Sequence, residues 1–278
     1  MLKIALKWKA RVAIAALLIP TIYYAYHHIR NEKHSRILVN FDEFKNPIID
    51  VCLEGKRYPF VFDLGKKCLL SMSTEDVKIL TKNQDNKVYI QDINGDHYEF
   101  SSYKLPKAKI ASLILKNPII QEKGGARTIG RHLLEISNLL LDFPNSTIIA
   151  CNSQNKLKKL GYHLGDMIKV PIEINRAGIL FNAETDFGEK KFLLSTSSIS
   201  IIRKSLVKHE NNEPTQHFES SKFIINGKDI GRMHFYTFEI TPELSEIDGI
   251  CGKDILNAHI VYIDYINKLL YISEREKI

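Results

Sequence analysis

The sequence predicts a mainly-β protein, two homologous β-barrel lobes behind an N-terminal transmembrane helix. Three observations predict it. A charge-free run, Val12 to Tyr26, follows a basic start. Short runs of β-branched and aromatic residues then alternate with turn signals along the chain. The order of those runs repeats: the step from Gly130 to Gly252 equals the step from Asp142 to Asp264, and the step from Asp63 to Ser195 is slightly longer.

Residues 1–29 read as a signal anchor. Lys3, Lys7, Lys9 and Arg11 precede about 15 apolar residues, close to a short membrane span. No small-residue cleavage site follows, and Tyr23, Tyr24 and Tyr26 suit a membrane–water interface. Fewer basic residues follow the span (Arg30, Lys33, Arg36) than precede it. That places the N-terminus in the cytoplasm and the lobes on the exported side, periplasmic or extracellular. The alternative is secretion after signal cleavage. Residues 30–46 are polar and read as a stalk.

Residues 47–151 read as the first lobe. Ile48 to Leu53 and Tyr58 to Phe62 form a hairpin about Glu54-Gly55-Lys56 that leads into Asp63. Ser73-Thr74-Glu75-Asp76 starts a short helix through Leu80. Val88 to Gln91 and His97 to Phe100 flank an Asn-Gly turn at Gly95, a strong hairpin signal. Strands around Ile110 to Leu115 and Asn117 to Gln121 follow. Thr128 to Arg131 then leads into a short helix, and Leu139 to Phe143 with Ser146 to Ala150 closes the lobe. Residues 152–165, polar and basic, read as a linker.

Residues 166–273 repeat the order. Pro171 to Ile174 and Ile179 to Ala183 lead, and Lys191 to Leu194 enters Ser195. Phe223 to Lys228 carries a second Asn-Gly turn at Gly227, and Val261 to Tyr265 matches Leu139 to Phe143. The two Asn-Gly turns are read as flap turns.

Composition excludes several function classes. The net charge of +7 is scattered, with no Arg-rich face or nucleic-acid motif, so no nucleic-acid partner is expected. Cys52, Cys68, Cys151 and Cys251 have no CxxC spacing, and the ten histidines no metal-ligand spacing, so no metal and no cofactor is expected. If the lobes are exported, Cys52 with Cys151 is the disulfide to test. Ser195 lacks a G-x-S-x-G elbow.

The stretches LLSTSSISII (193–202), IDGICGKDIL (247–256) and VYIDYINKLLYI (261–272) resemble the retropepsin-like aspartic peptidase pattern. FVFDLGKK (60–67) and TIGRHLL (128–134) resemble it more weakly. The resemblance covers roughly residues 47–273. It implies a pepsin-like bilobal arrangement of acid-protease-like barrels with one cleft between lobes.

In that family two carboxylates share one proton across the cleft; one activates water as general base and the other polarises the substrate carbonyl. Each comes from an Asp-Thr-Gly loop, whose threonines brace the loops and whose glycine permits close backbone approach. Here Asp63 and Gly65 remain in the first loop, with Leu64 in place of threonine. Thr196 remains in the second, with Ser195 in place of the acid and Ser197 in place of glycine. Gly130 and Gly252 support the two loops. A serine hydroxyl does not titrate as a second carboxyl would. The resemblance therefore implies a membrane-anchored pseudopeptidase that holds an extended peptide or protein in the interlobe cleft. The alternatives are an active aspartic endopeptidase using Asp63 with a non-standard partner, and a structural membrane-tethered scaffold.

Overall fold

The computed structural model describes residues 34–80, 86–91, 97–122, 125–207, 217–240 and 244–274. The predicted membrane segment and the Gly95 turn lie outside these residues. Among the described residues no helix is long and apolar enough to cross a membrane.

The first half runs β1 (His34–Leu38), β2 (Asn40–Phe41), β3 (Pro47–Leu53), β4 (Lys56–Asp63), β5 (Leu70–Met72), α1 (Thr74–Leu80), β6 (Asn86–Gln91), β7 (His97–Lys104), β8 (Lys107–Ile110), β9 (Leu113–Lys116), β10 (Ile119–Glu122), β11 (Thr128–Gly130), β12 (Leu139–Asp142) and β13 (Thr147–Cys151). A curled sheet takes the order β6-β7-β10-β5-β11-β4-β3-β8-β9, with β2 beside β3. Its strands bury alternate residues: Ile49, Val51 and Leu53 of β3 face the core. Helix α1 starts where Ser73 Oγ accepts the Asp76 N–H (3.2 Å) and donates to the Asp76 carboxylate (3.0 Å), a cap that satisfies an orphan helix donor.

The second half runs α2 (Gln154–Lys159), β14 (Ile168–Pro171), β15 (Glu173–Ile174), β16 (Ile179–Thr185), β17 (Gly188–Leu194), β18 (Ile201–Arg203), β19 (His217–Ser220), β20 (Ile224–Ile225), β21 (Lys228–Asp229), β22 (Met233–Phe238), β23 (Gly249–Cys251), α3 (Lys253–Ala258), β24 (Val261–Asp264) and β25 (Leu269–Ile272). Its curled sheet takes the order β19-β22-β18-β23-β17-β16-β20-β21, with β15 beside β16. The wiring repeats that of the first half. β4 runs parallel to β11 as β17 does to β23, and β5 parallel to β10 as β18 does to β22.

A third sheet, β1-β13-β12-β24-β25-β14, draws strands from both halves and joins them. At its centre β12 pairs with β24, Leu140 opposite Tyr262. β12, β13 and β24 are buried along their whole lengths, which explains their continuous apolar sequence. The paired turns repeat too. Asp142 accepts from the Asn145 N–H (3.2 Å) and Asp264 from the Asn267 N–H (3.2 Å).

Several expectations need correction. His34–Leu38 and Asn40–Phe41 of the predicted stalk are strands: β1 pairs with β13 along its length, and Ile37 is buried. Residues 154–159 of the predicted linker are a helix, capped by Ser153 and pinned by buried Leu157 against Leu140, Ile149 and Tyr262. Ile110 to Leu115 is a hairpin, not one strand, because the chain turns at Ala111 in the left-handed region (φ 51°). The four cysteines are free thiols, so the Cys52–Cys151 pair is not formed.

Candidate functional site

The strand pairing places Asp63 opposite Gly130 at the ends of β4 and β11. In the second half Leu194 lies opposite Cys251, and the Ser195 N–H donates to the Cys251 carbonyl (3.0 Å) beside Gly252. Asp63 and Ser195 thus end equivalent strands, one in each lobe. Both glycines are sterically required. A Cβ on Gly130 would run into the Lys66 and Cys68 carbonyls, and one on Gly252 into Ser198 and Ile199 backbone. The same carbonyls accept bonds from beyond the glycines: Arg131 N–H to Lys66 O (2.9 Å), Lys253 N–H to Ser198 O (2.9 Å).

The Asp63 side chain is buried, and its Oδ1 accepts the Gly65 N–H (2.9 Å). A Cβ on Gly65 would sit 3.1 Å from that oxygen and 3.8 Å from Ser195 Oγ, so the two loops converge on this point. Ser195 is buried, and its Oγ accepts the Ser198 N–H (3.2 Å). Asp63 and Ser195 each take a backbone N–H from their own loop, but only Asp63 brings a titrating group. Among the described residues Asp63 is the one acidic residue lining the cavity, and no described carboxylate hydrogen-bonds to it.

The loops are clasped from one side. Thr196 Oγ1 accepts the Leu64 N–H (3.0 Å) and donates to the Phe62 carbonyl (2.8 Å), while wholly buried. Leu64 has no hydroxyl to return the contact and is buried instead.

Two cations at matching positions, just after Gly130 and Gly252, cross between lobes. Arg131 Nη2 donates to the Arg176 carbonyl (2.7 Å) in the turn between β15 and β16. Lys253 Nζ donates to the Phe44 carbonyl in the equivalent turn between β2 and β3, with Asn46 Oδ1 at 3.5 Å. Arg131 is almost wholly buried, and its Nη1 has no partner among the described residues. Burial pulls its pKa down, against the pull of Tyr265 and Glu135. Sequence reasoning missed both cations, since nothing local to either shows which lobe it faces.

A cavity of about 390 Å³ opens beside Asp63. Val61, Lys66, Lys67, Ser71, Gln121 and Thr128 line it from the first lobe, and Ser197 from the second. Burial chiefly lowers the pKa of nearby His132; Glu135 opposes this, and the charges of Arg131 and Lys67 push it further down.

Gly227 is not part of a flap, a correction to the sequence reading. It turns between β20 and β21, and β20 pairs with β16 as β8 pairs with β3. The hairpin is therefore the counterpart of β8–β9, and Asn226 Nδ2 ties it to the Lys169 carbonyl (2.9 Å). The β6–β7 hairpin, whose Gly95 turn is outside the described residues, corresponds on its β7 side to β19: β7 pairs with β10, and β19 with β22. Among the described residues no group of three or more His, Cys, Asp or Glu could hold a metal.

No protein-family model matches the sequence, and no characterised protein matches it by sequence. By structure the chain is similar to the aspartic proteinase from Irpex lacteus, with a TM-score of 0.62 at 11% identity, over 88% of this chain and 98% of that one. Two curled sheets joined by a shared six-stranded sheet, with paired loops meeting at the join, make this a pepsin-like bilobal fold.

Proposed function

We propose that this chain is a pepsin-like pseudopeptidase that holds an extended polypeptide in its interlobe cleft, tethered to a membrane by its N-terminal segment. The observation that carries the reading is Ser195: buried at the position equivalent to Asp63, with its hydroxyl oxygen accepting the Ser198 N–H. Paired-carboxylate hydrolysis needs one ionised and one protonated carboxyl on either side of the attacking water. Asp63 can supply one of these, and Ser195 neither.

Binding survives this loss. The cavity beside Asp63 is open, and β6 and β19 are edge strands of their sheets. An extended chain can add to such an edge through main-chain hydrogen bonds. The tether and the exported placement of the lobes rest on the sequence of residues 1–29.

The test incubates the full chain and Asp63→Ala with a diverse peptide mixture from pH 3 to 7. The expected outcome is retention of peptides without cleavage that depends on Asp63. Cleavage by the wild type that Asp63→Ala abolishes would overturn the pseudopeptidase reading in favour of an active endopeptidase. No retained peptide would favour a purely structural scaffold.

A further inference from the structure

The repeat allows the two sides of the cleft to be compared position by position. On the first-lobe side, Thr128 lies opposite Val61, and Gln121 opposite Ser71. The same register positions in the second lobe hold Ile250 opposite Leu193, and Tyr236 opposite Ile201, which itself pairs with Ile250 as Ser71 pairs with Thr128. Lys67, four residues beyond Asp63, corresponds to Ile199, four residues beyond Ser195.

The chemistry of the two sides differs. The first-lobe positions are hydroxyl, amide and ammonium. Lys66 and Lys67 are exposed at the cavity, and neither is ion-paired to a described residue. Arg127, the next cation along this wall, is already occupied by Asp76 and lies over the Tyr58 ring. Two ammonium groups with no ion-pair partner among the described residues thus stand beside the carboxylate of Asp63, whose Oδ1 is engaged by its own loop. The second-lobe positions are largely apolar and partly bare: Tyr236 is 42% and Ile199 40% exposed, and Ile250 is half-buried above Leu193 and Ile247. Exposed large apolar groups grouped at a cleft favour an apolar ligand surface.

We propose that the cleft takes its polypeptide in one direction only. An acidic side chain enters the first-lobe cavity beside Lys66 and Lys67, and an apolar side chain rests on Ile199, Ile250 and Tyr236. This inference deepens the reading above and rests on it.

The test measures retention of extended peptides by the full chain. The peptides carry Glu, Gln or Lys at one position and Leu or Ser at a second, in both orders. The wild type is expected to retain Glu-and-Leu peptides in one order about tenfold better than their Gln counterparts, with the advantage shrinking in high salt. Lys66→Glu combined with Lys67→Glu changes two exposed side chains, and its fold is checked by circular dichroism. It is expected to turn the preference towards Lys. Tyr236→Ser is expected to remove the Leu preference alone. Peptides retained without charge preference, or equally in both orders, would overturn the directional assignment and leave the binding reading standing. No peptide retained by any variant would overturn both.

Discussion

Thr196 holds the two loops together with one hydroxyl, and its loss has a definite cost. Thr196→Val keeps the shape but strands the Leu64 N–H and the Phe62 carbonyl in a buried place. The expected loss is about 2–4 kcal/mol, read by urea unfolding; a loss below about 0.5 kcal/mol would show that the clasp does not hold the loops. Ser195→Asp makes a different prediction. A carboxyl placed there faces Asp63, and like charges in contact raise the pKa of one of them. A raised carboxyl pKa contributes stability below the unfolded value near 4 and loses it as pH rises through the folded one. The variant should therefore fall behind the wild type in thermal stability between pH 4 and 7, and an equal gap at both pH values would refute the contact. Arg131→Met tests the buried guanidinium. With one nitrogen unpartnered and burial already opposing its charge, an apolar side chain of similar length should change stability by less than about 1 kcal/mol, or raise it. The positions of Asp63 and Ser195 were legible in the sequence because an apolar strand ends on each. The crossing of Arg131 was not, because its partner is a backbone carbonyl, and any residue has one.

At the scale of elements, hairpins were the legible part. Alternating apolar residues with a Gly turn mark β3–β4, and the buried runs mark β12, β13 and β24. β1 escaped notice because its inward positions are Ser35 and Ile37, and a serine breaks the apolar alternation; Ser35 Oγ instead bonds Ser112 Oγ (2.9 Å). Helix α2 escaped because it has a single buried anchor, Leu157, among lysines. The Gly227 turn was legible as a turn, but an Asn-Gly pair gives the geometry of a hairpin and not its place in the sheet. Helix α1 carries an element-scale prediction. Arg127 binds the Asp76 carboxylate through Nε (2.9 Å) and Nη2 (2.5 Å), the chief cause of a pKa below the ordinary 3.8. A depressed carboxyl pKa contributes stability above the unfolded value and loses it as pH falls through the folded one. Arg127→Ala should cost about 1 kcal/mol at pH 7, since the pair is partly exposed, and the difference should fade below pH 3. A difference unchanged in acid would mean that Arg127 acts through its packing on Tyr58.

For the whole molecule, the shared sheet makes two lobes one cooperative body. β12 and β24 exchange backbone hydrogen bonds at the centre, and Arg131 and Lys253 cross the join in opposite directions. Unfolding followed by far-ultraviolet circular dichroism and by tyrosine fluorescence should give coincident transitions; two separated transitions would show lobes that melt independently. The overall class of fold was legible because equal steps between anchors reveal a repeat, whereas the third sheet was not, since its pairings join strands far apart in the chain. That pairing also sets a schedule for biosynthesis. The edge that β12 offers, Leu139-Leu140-Leu141, finds its partner only when Val261 to Ile263 have been made. While the ribosome assembles the intervening second lobe, at about 5–20 residues per second, the nascent first lobe carries an unpaired apolar edge for roughly 10 s. It is during this interval that the chain most needs a chaperone.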